Sequence, residues 1–235
     1  ARMAESHYEM AQKREVGHPE LRIYTLPIKD GKVRKTVIDI VSDDLAFLVD
    51  SVAAYINKRN LLIGILIHPI LYSSYDSKGD LAGVSSEMEE GHHRQSHIHI
   101  QLNEALSDKK IKDLEAGLFT VLDDVFHANK DWIAMLEKLE EAAEELNTAR
   151  TNRPAAEIQE HCAFLTYLHN NNFTLLGYRE YDFIESKDGV KSKTIDGSGL
   201  GLLKQDVSPA YISDAHEGLP RNLQELRRSL PPVSV

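Results

Sequence analysis

Apolar and polar positions alternate in two rhythms along this chain, one of strands and one of helices. Val37, Ile38, Ile40 and Val41 form a β-branched run that stops at Ser42-Asp43-Asp44. Leu45, Leu48, Val52, Tyr55 and Ile56 then recur at helical spacing, which predicts a helix over 45–59 with one stripe against a sheet. After the polar patch Asn57 to Asn60 the chain turns back as the almost wholly apolar stretch Leu61 to Leu71, read as one strand reaching Ser74. Between Arg94 and Leu102, Ile98, Ile100 and Leu102 alternate with His97, His99 and Gln101, the pattern of a half-buried strand. Ile111, Leu114, Leu118, Val121, Leu122 and Val125 mark another helix, capped by Asn103 or Ser107. Upstream, Leu21–Leu26 and Lys32–Val41 flank Lys29-Asp30-Gly31, a hairpin turn in which glycine is free to take positive φ. Ser6 to Arg14 reads as a short, fraying helix. The order is β-α-β-β-α, with the last strand of a βαββαβ pattern missing from its expected place.

The second half is more helical. Asp131 opens a helix carrying Trp132, Met135 or Leu136, Leu139, Ala142 or Ala143, and Leu146 on one side. Its other face is acidic, which reads as a solvated surface or as a packing arm against another subunit. Pro154 begins a helix with Ile158, Cys162, Leu165 and Leu168 inward, ended by Asn170-Asn171-Asn172. Phe173–Ile184 and Val190–Ile195 form a hairpin about Lys187-Asp188-Gly189, which either completes the first sheet or builds a second small one. The expected domains are an extension over 1–20, an α+β sandwich over 21–130, a connecting helix over 131–153, a helix-plus-hairpin unit over 154–205, and a linker over 206–235 with a short helix near Asn222 to Arg228.

Composition narrows the classes. The 235 residues, 42% hydrophobic, suffice for one good core or two small ones. A net charge of −10 without basic clusters argues against a nucleic-acid partner. No apolar run approaches the roughly 20 residues of a membrane helix, and Ala1 to Glu20 lacks the apolar segment of a signal peptide. The single cysteine, Cys162, forms no intrachain disulfide and suits a reducing, cytoplasmic setting.

Two groups of residues carry candidate chemistry. Asp43, Asp44 and Asp50 stand at a predicted helix start, where Ser42-Asp43-Asp44 would act as N-cap residues and the acids would suit the helix dipole. No nucleophile accompanies them, so acid/base catalysis is not assigned. What remains is capping or recognition of a small ligand. His92, His93, His97 and His99 invite a metal reading, because His97 and His99 share one face of a strand and His68 on the neighbouring strand could join them. No cysteine or HExxH helix supports them, so no metal is assigned, with His97 and His99 the nearest to a ligand pair. Gly197-Ser198-Gly199-Leu200-Gly201 lacks the GxGxxG spacing of a dinucleotide loop and reads as a turn.

Three ordered segments resemble one family. DDLAFLVDSVAAYINKRNLLIGILIHPIL (43–71), SHIHIQL (96–102) and NNNFTLLGYREYDF with GSGLGLLK (170–183, 197–204) are similar to the N-terminal region of the large bacterial NAD-specific glutamate dehydrogenases. The likeness runs from about Ile23 to Lys204. It implies an α+β fold: an ACT-like (ferredoxin-like) βαββα sandwich extended by helices and a second small hairpin-containing unit. It also implies a non-catalytic regulatory or assembly region cut from a longer, homo-oligomeric enzyme that converts L-glutamate, NAD and water to 2-oxoglutarate, ammonia and NADH. NAD would bind elsewhere in that enzyme, leaving this stretch without a cofactor. ACT-like modules bind small amino acids at the turn matched here by Ser42, Asp43, Asp44, Leu45 and Asp50. Of the histidines only His99 matches one in the family's strand. The alternatives are a pure oligomerisation or interaction module without ligand, and a metal-dependent enzyme using the His/Asp set.

Overall fold

The computed structural model describes residues 2–27, 34–77, 79–151, 153–186 and 189–204. The turn residues Lys29-Asp30-Gly31, Lys187-Asp188 and the expected linker with its helix near 222–228 lie outside them. The chain divides into two compact units, Ala1–Phe126 and His127–Val235. Among the described residues no helix is long and apolar enough to cross a membrane.

The first unit contains α1 (Arg2–Lys13), β1 (Glu20–Pro27), β2 (Arg34–Asp43), α2 (Leu48–Lys58), β3 (Ile63–Ile67), β4 (Ile70–Tyr75), β5 (Leu81–Ser85), β6 (His93–Leu102) and most of α3 (Asp108–Lys130). Its antiparallel sheet runs β1-β2-β6-β4-β5, with β3 also paired to β6. The expected single strand over 61–74 is therefore two. Ile67 faces His99 and Ile70 faces Ser96, so the register continues across the break. Pro69, having no N–H to give, interrupts the ladder, yet its carbonyl still accepts a bond from His97 N at 3.0 Å. The edge beside β2, where the last strand of a βαββαβ unit would lie, is held by β1.

Strand alternation sorts β2 and β6 into two faces. Ile38, Ile40, Ile98, Ile100 and Leu102 pack with Leu48, Val52 and Ile56 of α2 and Leu114, Leu118 and Leu122 of α3. On the opposite face Val41 packs with Met10 and Ala11 of α1. Helices thus cover both faces, α2 and α3 on one and α1 on the other, and β2 is buried on each side. The result is α+β with an antiparallel sheet, compatible with an ACT-like sandwich.

The start of α2 differs from expectation. Asp43 ends β2, and the N-cap position is Phe47, in the left-handed conformation at φ 63° without a side-chain cap bond. Ser42, Asp43 and Asp44 therefore do not cap this helix: β2 runs on to Asp43, and the two carboxylates are taken by Arg14 and by Ser96 with Arg94. Phe47 is 53% exposed, and Ile65 on β3 is 41% exposed.

The second unit holds α4 (Trp132–Thr148), α5 (Ala155–Tyr167), a wide helical turn (Leu168–Asn172), β7 (Gly177–Tyr178), β8 (Tyr181–Ser186), β9 (Gly189–Thr194) and β10 (Leu200–Gly201). Among the described residues β8 pairs only with β9, and β7 with β10, so the hairpin builds its own small sheet. The expected long strand over 173–184 is reduced to β7 and β8. Gly201, at φ 57°, lies so close to Leu176 O that a Cβ would sit 2.4 Å from it, and its N–H donates to Asp131 Oδ2 at 2.9 Å. The Gly197–Gly201 run is thus a structural turn.

Leu48, 2% exposed inside the core, should lose about 2–5 kcal/mol of stability on change to alanine, measured by denaturant unfolding. Phe47→Gly should instead raise stability by up to about 1 kcal/mol, since it relieves a left-handed residue that packs little. A comparable loss at both positions would contradict this start of α2.

Candidate functional site

The acidic turn is built from matched charges. Asp43 pairs with Arg14, which is buried behind α1, and its Oδ2 accepts the Gly17 N–H at 3.0 Å. Asp44 Oδ1 accepts from Ser96 Oγ at 2.8 Å, and Oδ2 lies 2.8 Å from Arg94 Nε. Ser42 Oγ donates to Asp43 O at 2.9 Å. Leu45 packs at the rim of the core, and Asp50 is exposed in the first turn of α2. The Arg94 side chain is 57% exposed, so its pairing with Asp44 is the weak, exchangeable kind. Both carboxylates are thus engaged, the Asp43 side chain 26% exposed and that of Asp44 16%.

A second polar centre lies on the α1 face of the sheet. Asp39, at 0% exposure in the middle of β2, accepts four polar approaches. Ser6 Oγ and Tyr24 Oη donate to its Oδ2 at 3.0 and 2.9 Å. His99 Nδ1 donates to Oδ1 at 2.6 Å, and His7 Nε2 lies 3.3 Å from the same oxygen without hydrogen-bond alignment. Burial alone would raise the Asp39 pKa, but the His7 and His99 imidazoles and the Tyr24 phenol outweigh it and hold the carboxyl below its usual value. Burial, together with the Asp39 carboxylate beside it, pushes the Tyr24 phenol up to about 12.

His97 sits beside this cluster, its ring 5.5 Å from that of His7. It is 3% exposed, and neither ring nitrogen has a hydrogen-bond partner among the described residues. Burial, with His7, Arg14 and His68 nearby, pushes its pKa down to about 4. His7, His97 and His99 line a cavity of about 210 Å³ whose other walls are mainly apolar, including Met3, Ile67, Leu71 and Val84.

Of the four histidines singled out in the sequence, only His97 and His99 meet. His92 lies 3.8 Å from Glu89, and His93 stacks edge-on against Tyr75. His68, the expected third member, bonds Ser96 Oγ at 2.8 Å instead. His7 and Asp39 were missed. Asp39 did leave a signal, being the one charged residue inside the run Val37-Ile38-Asp39-Ile40-Val41.

An antiparallel sheet carrying α2 and α3 on one face is an α+β arrangement compatible with the ACT-like kind. The family model described as "Glutamate dehydrogenase, ACT1 domain" matches residues 1–118, and the chain belongs to that family. It is similar to the NAD-specific glutamate dehydrogenase of Pseudomonas aeruginosa, at 28% identity over 203 residues, covering 85% of this chain and 12% of the relative. The enzyme of the same name from Halomonas elongata is 31% identical over 179 residues, 75% of this chain and 11% of the relative. That of Mycobacterium tuberculosis is 24% identical over 205 residues, 86% of this chain and 12% of the relative. The chain spans roughly a tenth of the length of these curated relatives, and the resemblance to the N-terminal region of the large NAD-specific enzymes is borne out.

His97 makes a pH prediction. Its folded pKa of about 4 lies below the ordinary 6.5, so the unfolded chain binds a proton more readily in this window. The His97 contribution to stability should be complete above about pH 6.5, be lost as pH drops towards 4 and change little below, by on the order of 3 kcal/mol, while the Asp39 carboxyl, held low, adds its own loss below its ordinary value of 3.8. Urea unfolding with a chelator present checks this, and His97→Gln should flatten that limb. A constant midpoint across the window would contradict a buried, unpaired His97.

Proposed function

We propose that this chain is the N-terminal regulatory and assembly region of a large, cytoplasmic NAD-specific glutamate dehydrogenase and takes no part in hydride transfer. The parent enzyme would convert L-glutamate, NAD and water to 2-oxoglutarate, ammonia and NADH, with NAD bound in a catalytic region outside this stretch. The observation that carries the reading is the match to the ACT1-domain family over residues 1–118. The glycine run at 197–201 supports the non-catalytic part, since it leads into the two-residue strand β10 and not into a phosphate-binding helix.

The regulatory half concerns the turn of Ser42, Asp43, Asp44, Leu45 and Asp50. A small amino acid would place its ammonium against Asp44 by displacing the exposed Arg94, whose guanidinium then meets the ligand carboxylate. The assembly half rests on β3. Its outer edge has no strand partner among the described residues, and its Ile65, Leu66 and Ile67 are 41%, 38% and 41% exposed. An apolar, uncharged open edge is a template for strand pairing. A second copy is its proposed occupant, since the segment Ile63–Ile67 brings no like charges together.

The chain alone should show no glutamate-dependent NAD reduction. In a thermal-shift scan of the common amino acids, a true effector at a hundredfold excess over Kd should stabilise the fold by about 2.7 kcal/mol, and Asp44→Ala should abolish the shift. A flat scan removes the effector half and leaves an assembly region. Leu66→Lys should lower the oligomeric mass seen by analytical ultracentrifugation. Turnover above a blank, lost on mutating a residue of this chain, would overturn the non-catalytic reading.

A further inference from the structure

We propose that His7, Asp39 and His99 form a binding site for one divalent transition-metal ion at the wall of the apolar cavity, clasping α1 to the sheet. The three residues come from three elements, α1, β2 and β6, and each offers a donor atom within 4.8 Å of the others. All three are buried. This inference goes beyond the assembly and effector reading and does not depend on it.

Donor chemistry selects the ion class. Two imidazoles with one carboxylate suit zinc, iron or nickel, whereas magnesium and calcium prefer oxygen ligands throughout. With metal–ligand distances of about 2.0–2.2 Å, two donors on one tetrahedral ion stand about 3.4 Å apart. The 3.3 Å separation of His7 Nε2 and Asp39 Oδ1 already meets this. The 2.6 Å separation of His99 Nδ1 and Asp39 Oδ1 must open by less than about 1 Å, within reach of a small ring rotation.

The surroundings are those of a ligand shell. Ser6 and Tyr24 both donate to Asp39 Oδ2, which leaves Oδ1 facing the imidazoles and fixes the carboxylate plane. Gln101 Nε2 donates to His99 Nε2 at 3.0 Å. On metal binding at Nδ1 the His99 proton resides on Nε2, and a turn of the Gln101 amide presents its oxygen to that N–H. No net proton is released by this exchange of tautomers. His97 supplies the independent observation. It is 3% exposed, lines the same cavity, and has two nitrogens without a partner among the described residues. Such an orphaned imidazole, beside the three donors and not one of them, can hydrogen-bond a molecule bound in the cavity next to the ion. The nearby positive charge of Arg14 is matched by Asp43, which lessens its opposition to a cation.

The test uses the chain after chelator treatment. Titration calorimetry with zinc should show saturable binding of one ion per chain, weakened at least about tenfold by His7→Gln and by His99→Gln. Paired replacement of His92 and His93 by glutamine should leave it unchanged. Cobalt as a spectroscopic probe should give the visible bands of a four- or five-coordinate ion with the wild-type chain, a readout that needs no variant. Absence of those bands and of stoichiometric zinc binding in the folded wild type would overturn the proposal. So would binding that survives His7→Gln and His99→Gln but disappears with the His92 and His93 replacements, since that is pickup at an exposed loop.

Discussion

Removing the Asp39 carboxylate from water is the constraint around which the first unit is arranged. A buried charge without partners costs several kcal/mol, so its place in the middle of β2 demands polar groups from every side. They come from α1 through Ser6 and His7, from β1 through Tyr24, and from β6 through His99. Each partner ties another element to β2. The carboxylate therefore accounts for two features at once: β1 occupies the edge beside β2, and α1 covers the face that α2 and α3 leave open.

The two faces of the sheet consequently do different work. One is a hydrocarbon core of isoleucine, leucine and valine, whose contribution scales with area removed from water. The other is mixed, with Met10, Ala11 and Val41 beside a polar centre and an apolar-walled cavity. A mixed face gains less from burial alone and more from specific pairing. That is where a ligand or ion can change stability most, because groups left unsatisfied in the free chain gain partners on binding.

Much of the sandwich was legible from periodicity. The strand rhythm of Val37–Val41 and Ile98–Leu102 and the helical stripes of α2 and α3 mark elements whose burial is decided locally, by which face is apolar. What escaped was decided by residues distant in sequence. Asp43 would cap α2 by local rules, but Arg14, 29 positions away, reaches it first. Asp39 and His99 lie 60 positions apart and meet only because β2 and β6 pair. The break at Pro69 was readable from its missing N–H but was hidden by the apolar run on both sides. Of the candidate ligands, the pair His97 and His99 was visible as a shared strand face, while His7 sat in a segment with weak periodicity and no apparent partner.

The central claim is that Asp39 holds α1 onto the sheet as part of one cooperative unit. Native-state amide hydrogen exchange on the wild-type chain and on Asp39→Asn tests it most directly. The account predicts that α1 amides of the wild type exchange as slowly as those of β2 and β6. In Asp39→Asn they should exchange at least about tenfold faster while the sheet stays protected, the change expected from losing about 1.4 kcal/mol of docking free energy. Rapid exchange of α1 in the wild type, or protection of α1 that Asp39→Asn leaves unchanged, would contradict it.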